Sequence, residues 1–200
     1  MPDPDISDVR FSQPVRDVLQ GLGLLSRLPV RVDPEAARAR GGAASWAWPL
    51  AGALLGLIAA VAASLSLWLG LGAGIAAALV IAVQVICTGA MHEDGLADMA
   101  DGFGGGQTRA RKLEIMRDSR IGSYGVMALI LTVALQVALI ARLDHPALVV
   151  PAALGLSMAS RAMLPFWLAR MPAARADGLG HGAAQVPATC VYIAVAFGLV

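Results

Sequence analysis

The sequence predicts an all-α, polytopic integral membrane bundle of about five spanning helices, and three observations carry that expectation. Of its 200 residues, 58% are hydrophobic and 14% are charged, where a soluble domain carries roughly 25% charged residues. Residues 41–91 contain no Asp, Glu, Lys, Arg or His, fifty-one positions in a row. A second uncharged run covers residues 121–141. One span takes roughly 20 apolar residues, and a buried helix of a soluble protein roughly 10–14. The first run therefore holds two spans, divided at Gly70-Leu71-Gly72-Ala73-Gly74.

The elements follow in order. Residues 1–14 carry prolines and charges and are expected to be loosely held. Residues 15–30 place Val15, Val18, Leu19, Leu22, Leu25 and Leu28 on a helical stripe too short to span, which reads as an interfacial helix. Residues 31–42 read as a charged linker. Span 1 covers 46–69, with Trp46, Trp48 and Trp68 at its ends like interfacial anchors. Spans 2, 3 and 4 cover 75–91, 124–141 and 146–169, the last interrupted by Arg161. A fifth apolar run, 182–200, stops without a flanking charge or cap, which points to a natural chain that continues. Two regions result, a cytoplasmic N-terminal segment over 1–45 and a membrane bundle over 46–200 that contains a polar catalytic segment, 88–123.

Basic residues orient the bundle. Arg10, Arg16, Arg27, Arg31, Arg38 and Arg40 precede span 1, and Arg109, Arg111, Lys112, Arg117 and Arg120 follow span 2. Arg170 and Arg175 follow span 4, whereas the opposite loops carry only Arg142. Four spans with a cytoplasmic N-terminus satisfy these counts and put segment 88–123 on the cytoplasmic side. No cleavable signal peptide opens the chain. A net charge of +1 gives no polyanion-binding signature, and no nucleic acid is expected as a partner. Cys87 and Cys190 sit in apolar runs without metal-ligand spacing and read as packing residues.

Segment 88–123 carries the chemistry. Glu93, Asp94, Asp98 and Asp101 fall within nine residues, and Asp94, Asp98 and Asp101 share one helical face. Helical neighbours lie about 5–6 Å apart, so an ionised pair repels by roughly 3 kcal/mol at an effective dielectric near 20. Either a solvated acidic face or a bound cation resolves that repulsion, and the clustering beside a span favours the cation. An all-oxygen donor set points to Mg²⁺ first, held by Glu93, Asp94, Asp98 and Asp101. His92-Glu93 does not begin a zinc H-E-x-x-H site, because position 96 is Leu. Gly102, Gly104, Gly105 and Gly106 follow, and glycine backbone can approach a phosphate closely, with Arg109 adding charge. Arg117-Asp118-Ser119-Arg120 reads either as a phosphate clamp around a metal-binding or proton-accepting Asp, or as a surface ion pair. Asp101 and Asp118 are the candidate catalytic acids. Gly104, Gly105, Gly106, Arg109, Arg117, Arg120 and the mid-span Arg161 are the candidate phosphate-binding residues.

Two strings go further. TGAMHEDGLADMADGFGGG (88–106) and RKLEIMRDSRIGSYGVMAL (111–129) resemble cobalamin synthase, the adenosylcobinamide-GDP ribazoletransferase family. GLLSRLPV (23–30), WPLAGALLG (48–56), Ser160-Arg161 and ARADGLG (174–180) match in the same order. The resemblance implies transfer of the adenosylcobinamide-phosphate group from adenosylcobinamide-GDP to α-ribazole or its 5′-phosphate. GMP is released, Mg²⁺ is the cofactor, and the setting is the bacterial inner membrane. It also implies further helices beyond residue 200, and a homo-oligomer is compatible with it. Two rivals stand beside this reading. A CDP-alcohol phosphotransferase would need a later Asp pair that this sequence lacks, and an ion-coupled transporter would place acids inside its spans rather than at a span's end.

Overall fold

The computed structural model describes residues 12–174 and 185–199. Arg10, Arg175 and residues 175–180 of the ARADGLG string, singled out above, lie outside the described residues. Every regular element among the described residues is helical. They are α1 (Gln13–Leu25), α2 (Pro34–Arg40), a 3₁₀ segment (Gly41–Ala47), α3 (Trp48–Trp68), α4 (Ala73–Thr88) and α5 (Met91–Gly105). Then come α6 (Arg109–Ile115), α7 (Ser123–Ile140), α8 (Pro146–Arg170) and α9 (Ala188–Gly198).

Among the described residues three stretches are long and apolar enough to cross a membrane: 34–68, α7 and α8. A fourth candidate is α4 with α5, bent by 91° at the break between them. The expected span 2 therefore ends three residues early, because Gly89 and Ala90 turn the chain. The fifth apolar run yields only the 11-residue α9 within the described residues, shorter than a span.

The described residues form two compact units, one from the stretches up to Ala53 and from Ser157 on, the other Leu54–Leu156. In the first unit, the expected linker 31–42 is instead mostly helix. Asp33 caps α2 by accepting the N–H groups of Glu35 and Ala36 at 2.9 and 3.2 Å, and Pro34 occupies the first turn. Asp17 on α1 is buried and accepts four donors. Arg40 donates Nε and Nη2 at 3.0 and 2.8 Å, Trp46 Nε1 at 2.7 Å and Gln13 Nε2 at 2.8 Å. Burial pushes the Asp17 carboxyl up, but the bonds from Arg40, Trp46 and Gln13 outweigh it and leave the pKa lowered. Trp46 is thus a structural donor and Trp48 is buried. Of the three expected interfacial anchors only Trp68, 80% exposed, stands free at a helix end. On the same unit's part of α3, an added Cβ at Gly52 would collide with the Ser157 carbonyl, so the α3 and α8 backbones touch there.

The second unit buries Ala59, Ala63, Ala76, Val80 and Val149, with Leu67, Val83, Ile140 and Leu143 packed around them. Small residues on α3 and α4 let helices approach closely, the usual solution where lipid removes the hydrophobic drive between helices. Leu57, Val61, Leu65 and Trp68 line the outward side of α3. Most of the large apolar side chains of α7 are also exposed, among them Ile130, Leu131, Leu135 and Leu139.

Candidate active site

The candidate site lies in the second unit and is built by the turn after α4. Thr88 Oγ1 donates to the Gln84 carbonyl at 2.9 Å, and Ala90 N–H reaches back to the Val85 carbonyl at 2.9 Å. Gly89 at φ 65° satisfies the helix end as a left-handed cap. Ala90 at φ 60° is the one non-glycine residue of positive φ among the described residues. That conformation costs an alanine roughly 1–2 kcal/mol. The turn sends α5 off at a right angle, with Glu93 and Asp94 in its first turn, where negative charge meets the positive helix end.

The acidic stripe of α5 then divides. Asp94 is exposed and Asp98 half-buried, but Asp101 is buried and engaged by α7. Gly122 N–H donates to Asp101 Oδ2 at 2.7 Å and Gly125 N–H to Asp101 Oδ1 at 2.8 Å. Gly122 is the N-cap of α7 and has no side chain to cap with, so Asp101 caps α7 from another helix. An added Cβ at Gly122 would lie 2.5 Å from Asp101 Oδ1, and one at Gly125 would strike Asp101 Oδ2. Both positions need glycine for this approach.

Asp118 is likewise committed. Arg120 holds it through Nε at 3.0 and 3.1 Å, through Nη2 at 2.6 Å, and through its own N–H at 3.1 Å. The Arg120 hydrogen bonds lower the Asp118 pKa to about 2. A carboxylate held so acidic is a weak base near neutral pH.

Gly104 and Gly105 lie in the last turn of α5, where N–H groups point back into the helix and the dipole is negative. Gly106 N–H donates to the Gly102 carbonyl at 3.0 Å. The glycine run also serves close packing. A Cβ at Gly104 would lie 2.5 Å from the Tyr124 ring, one at Gly102 2.7 Å from Met116, and one at Gly106 2.6 Å from Lys112. These contacts seat α6 and the start of α7 on α5. Arg111 pairs with Glu114 at 2.8 Å, and Lys112 Nζ stands 4.3 Å over the Phe103 ring. Arg109, Arg117 and Arg120 are exposed around this corner.

Among the described residues no three His, Cys, Asp or Glu side chains gather into a metal-holding group. The four-acid set expected from spacing is not drawn together, because Asp101 turns to α7. Glu93 keeps a buried Oε2 with no hydrogen-bond partner. Leaving such an oxygen unsatisfied costs about 1–3 kcal/mol, so a cation fits there.

The family model described as cobalamin-5-phosphate synthase matches residues 17–200. The chain belongs to that family. Among curated relatives, the chain is 45% identical to an adenosylcobinamide-GDP ribazoletransferase of Bradyrhizobium diazoefficiens, over 94% of this chain and 74% of the relative. It is 43% identical to proteins of the same name from Mesorhizobium japonicum, over 85% of this chain and 65% of the relative, and Sinorhizobium medicae, over 88% and 69%. No solved structure matches. For this member of the cobalamin-5-phosphate synthase family, Arg161 belongs to the first unit. It is buried in α8, and its Nη1 donates to Ser160 Oγ at 2.8 Å. The Asp17 network escaped the sequence reading; Gln13 and Asp17, four residues apart on one helix, were its only local sign.

Proposed function

We propose that the chain is a membrane-embedded transferase that moves the adenosylcobinamide-phosphate group from adenosylcobinamide-GDP to α-ribazole or its 5′-phosphate. A P–O bond forms between the acceptor oxygen and the phosphorus bearing the adenosylcobinamide group, the bridging P–O bond breaks, and GMP leaves. The family match across residues 17–200 carries this reading. The geometry of α5 supports it. Glu93, Asp94 and Asp98 share α5 with the α7-capping Asp101, and an exposed arginine group stands at the α5–α6 corner.

Glu93, Asp94 and Asp98 are the residues to hold Mg²⁺, and the buried, unpartnered Glu93 oxygen is the observation that fits it. When bound, the ion supplies charge neutralisation at the pyrophosphate. Arg109 and Arg117 supply positive charge for the phosphates of donor and leaving group. Arg120 keeps Asp118 ionised and the loop before α7 in shape. Asp101 holds the same loop from the other end. Both are positioning residues, and the substrate is oriented by what they fix. The active segment faces the cytoplasm of a bacterial inner membrane, because the basic residues flank that side.

The test is GMP release by the purified chain in phospholipid vesicles, supplied with adenosylcobinamide-GDP and α-ribazole 5′-phosphate. GMP formation that needs both the acceptor and Mg²⁺ is expected. GMP no faster than in protein-free vesicles overturns the assignment.

A further inference from the structure

We propose that α5 lies in the plane of the membrane surface, with Leu96, Met99 and Phe103 sunk into the phospholipid interface and the exposed Asp94 turned to water. Leu96, Met99 and Phe103 follow an i, i+3, i+7 spacing and form one apolar stripe. They are 37%, 55% and 61% exposed among the described residues. The other sides of α5 are taken: Gly104 by Tyr124, Gly102 by Met116, and Asp101 by the start of α7. At 3.6 residues per turn, Asp94 sits roughly half a turn away from the stripe. The helix is therefore apolar on one exposed side, with the exposed Asp94 opposite it, the pattern of an interfacial helix.

Orientation and charge name the occupant. The apolar α4 meets α5 at 91°, so an α4 that crosses the bilayer lays α5 along its surface. Exposed Tyr124 packs on Gly104, next to Phe103, and tyrosine favours the headgroup level. Lys112 leans over Phe103, where its ammonium reaches from an apolar ring toward lipid phosphate. Arg109 and Arg111, exposed on the same α6 that packs on α5, complete a basic rim. A phospholipid surface matches an apolar stripe with such a rim, and it is continuous with the lipid around α7. The consequence for Asp94 is direct, since a water-facing side keeps it reachable by a soluble nucleotide. The inference rests on the membrane setting and not on the transfer reaction.

The test places the photocrosslinker benzoyl-phenylalanine at Met99, Phe103 or Asp94 of the full chain, reconstituted in phosphatidylglycerol–phosphatidylethanolamine vesicles. Adducts are read by mass spectrometry. Lipid adducts at 99 and 103 at least about tenfold above those at 94 are expected of a helix buried on one side. Three results overturn the proposal: equal lipid adducts at all three positions, which mark a segment dipping into the bilayer; no lipid adduct at 99 and 103; or protein–protein adducts at 99 and 103, which mark a second copy on the stripe. Residue 103 is already aromatic and both stripe positions are exposed, so folding is not at stake there. Turnover is read separately, and its loss leaves the adduct pattern interpretable.

Discussion

Asp17 and Asp101 are both buried aspartates with every oxygen in use, yet they are stabilised by opposite means. Asp17 is held by side chains, one of them the Arg40 guanidinium, itself 36% exposed. Asp101 is held by two main-chain N–H groups at the start of α7. Side chains can swing to water when their partner is lost, and a helix N-terminus cannot. The charge at Asp101 also meets the positive end of α7, worth about 0.3–1 kcal/mol. An acid in an acidic cluster can therefore be scaffold rather than chemistry, and the neighbour that makes it so lies on another helix.

The largest test of this contrast is Asp101→Ala, which strands two N–H groups at about 1–3 kcal/mol each. A loss of about 4 kcal/mol in unfolding free energy is expected from denaturant titration in detergent. Gly125→Val should cost about 3 kcal/mol by overpacking against Asp101 and the Ala97 carbonyl, read in the same way. Asp17→Ala should cost less, about 2 kcal/mol, because Arg40 regains water while Trp46 N–H loses its partner. If Asp17→Ala proves the more damaging, the contrast fails.

Acid sharpens the same comparison. The folded pKa of Asp17 lies below its ordinary value of 3.8. The stability from its ionised form is complete above that value and is lost as pH falls through the folded pKa. The difference in melting midpoint between the natural chain and Asp17→Asn should be constant above about pH 5 and shrink as pH falls below about 4. The smallest expected effect is a gain. Ala90→Gly relieves the left-handed alanine and should stabilise by about 0.5–1 kcal/mol after the added chain entropy of glycine.

Much of this arrangement was legible in residue patterns. Run lengths marked α3, α7 and α8 as spans, and the spacing of Asp94, Asp98 and Asp101 put them on one helical face. The roles within that face were not legible, because Gly122 and Gly125 lie 21 and 24 residues beyond Asp101. One trace existed: α7 begins at Gly122 without a capping side chain of its own, so its cap had to come from elsewhere. The packing partners of the glycines at 102–106 were not legible for a related reason. Glycine permits close approach of any partner, and here Met116, Tyr124 and Lys112 pack against the run. Asp33-Pro34-Glu35 was a readable helix start that the charge of residues 31–42 concealed.

We propose that the acids Glu93, Asp94 and Asp98 of segment 88–123 serve chemistry, whereas Asp101 and Asp118 serve scaffolding. Turnover and melting midpoint, measured together for Glu93→Gln, Asp98→Asn and Asp101→Asn, test it most directly. GMP release at least about 100-fold slower, with an unchanged midpoint, is expected for the first two. A midpoint lowered by several degrees is expected for Asp101→Asn, with turnover largely kept below its transition. Full turnover in Glu93→Gln and Asp98→Asn, with loss of turnover at an unchanged midpoint in Asp101→Asn, would contradict the division.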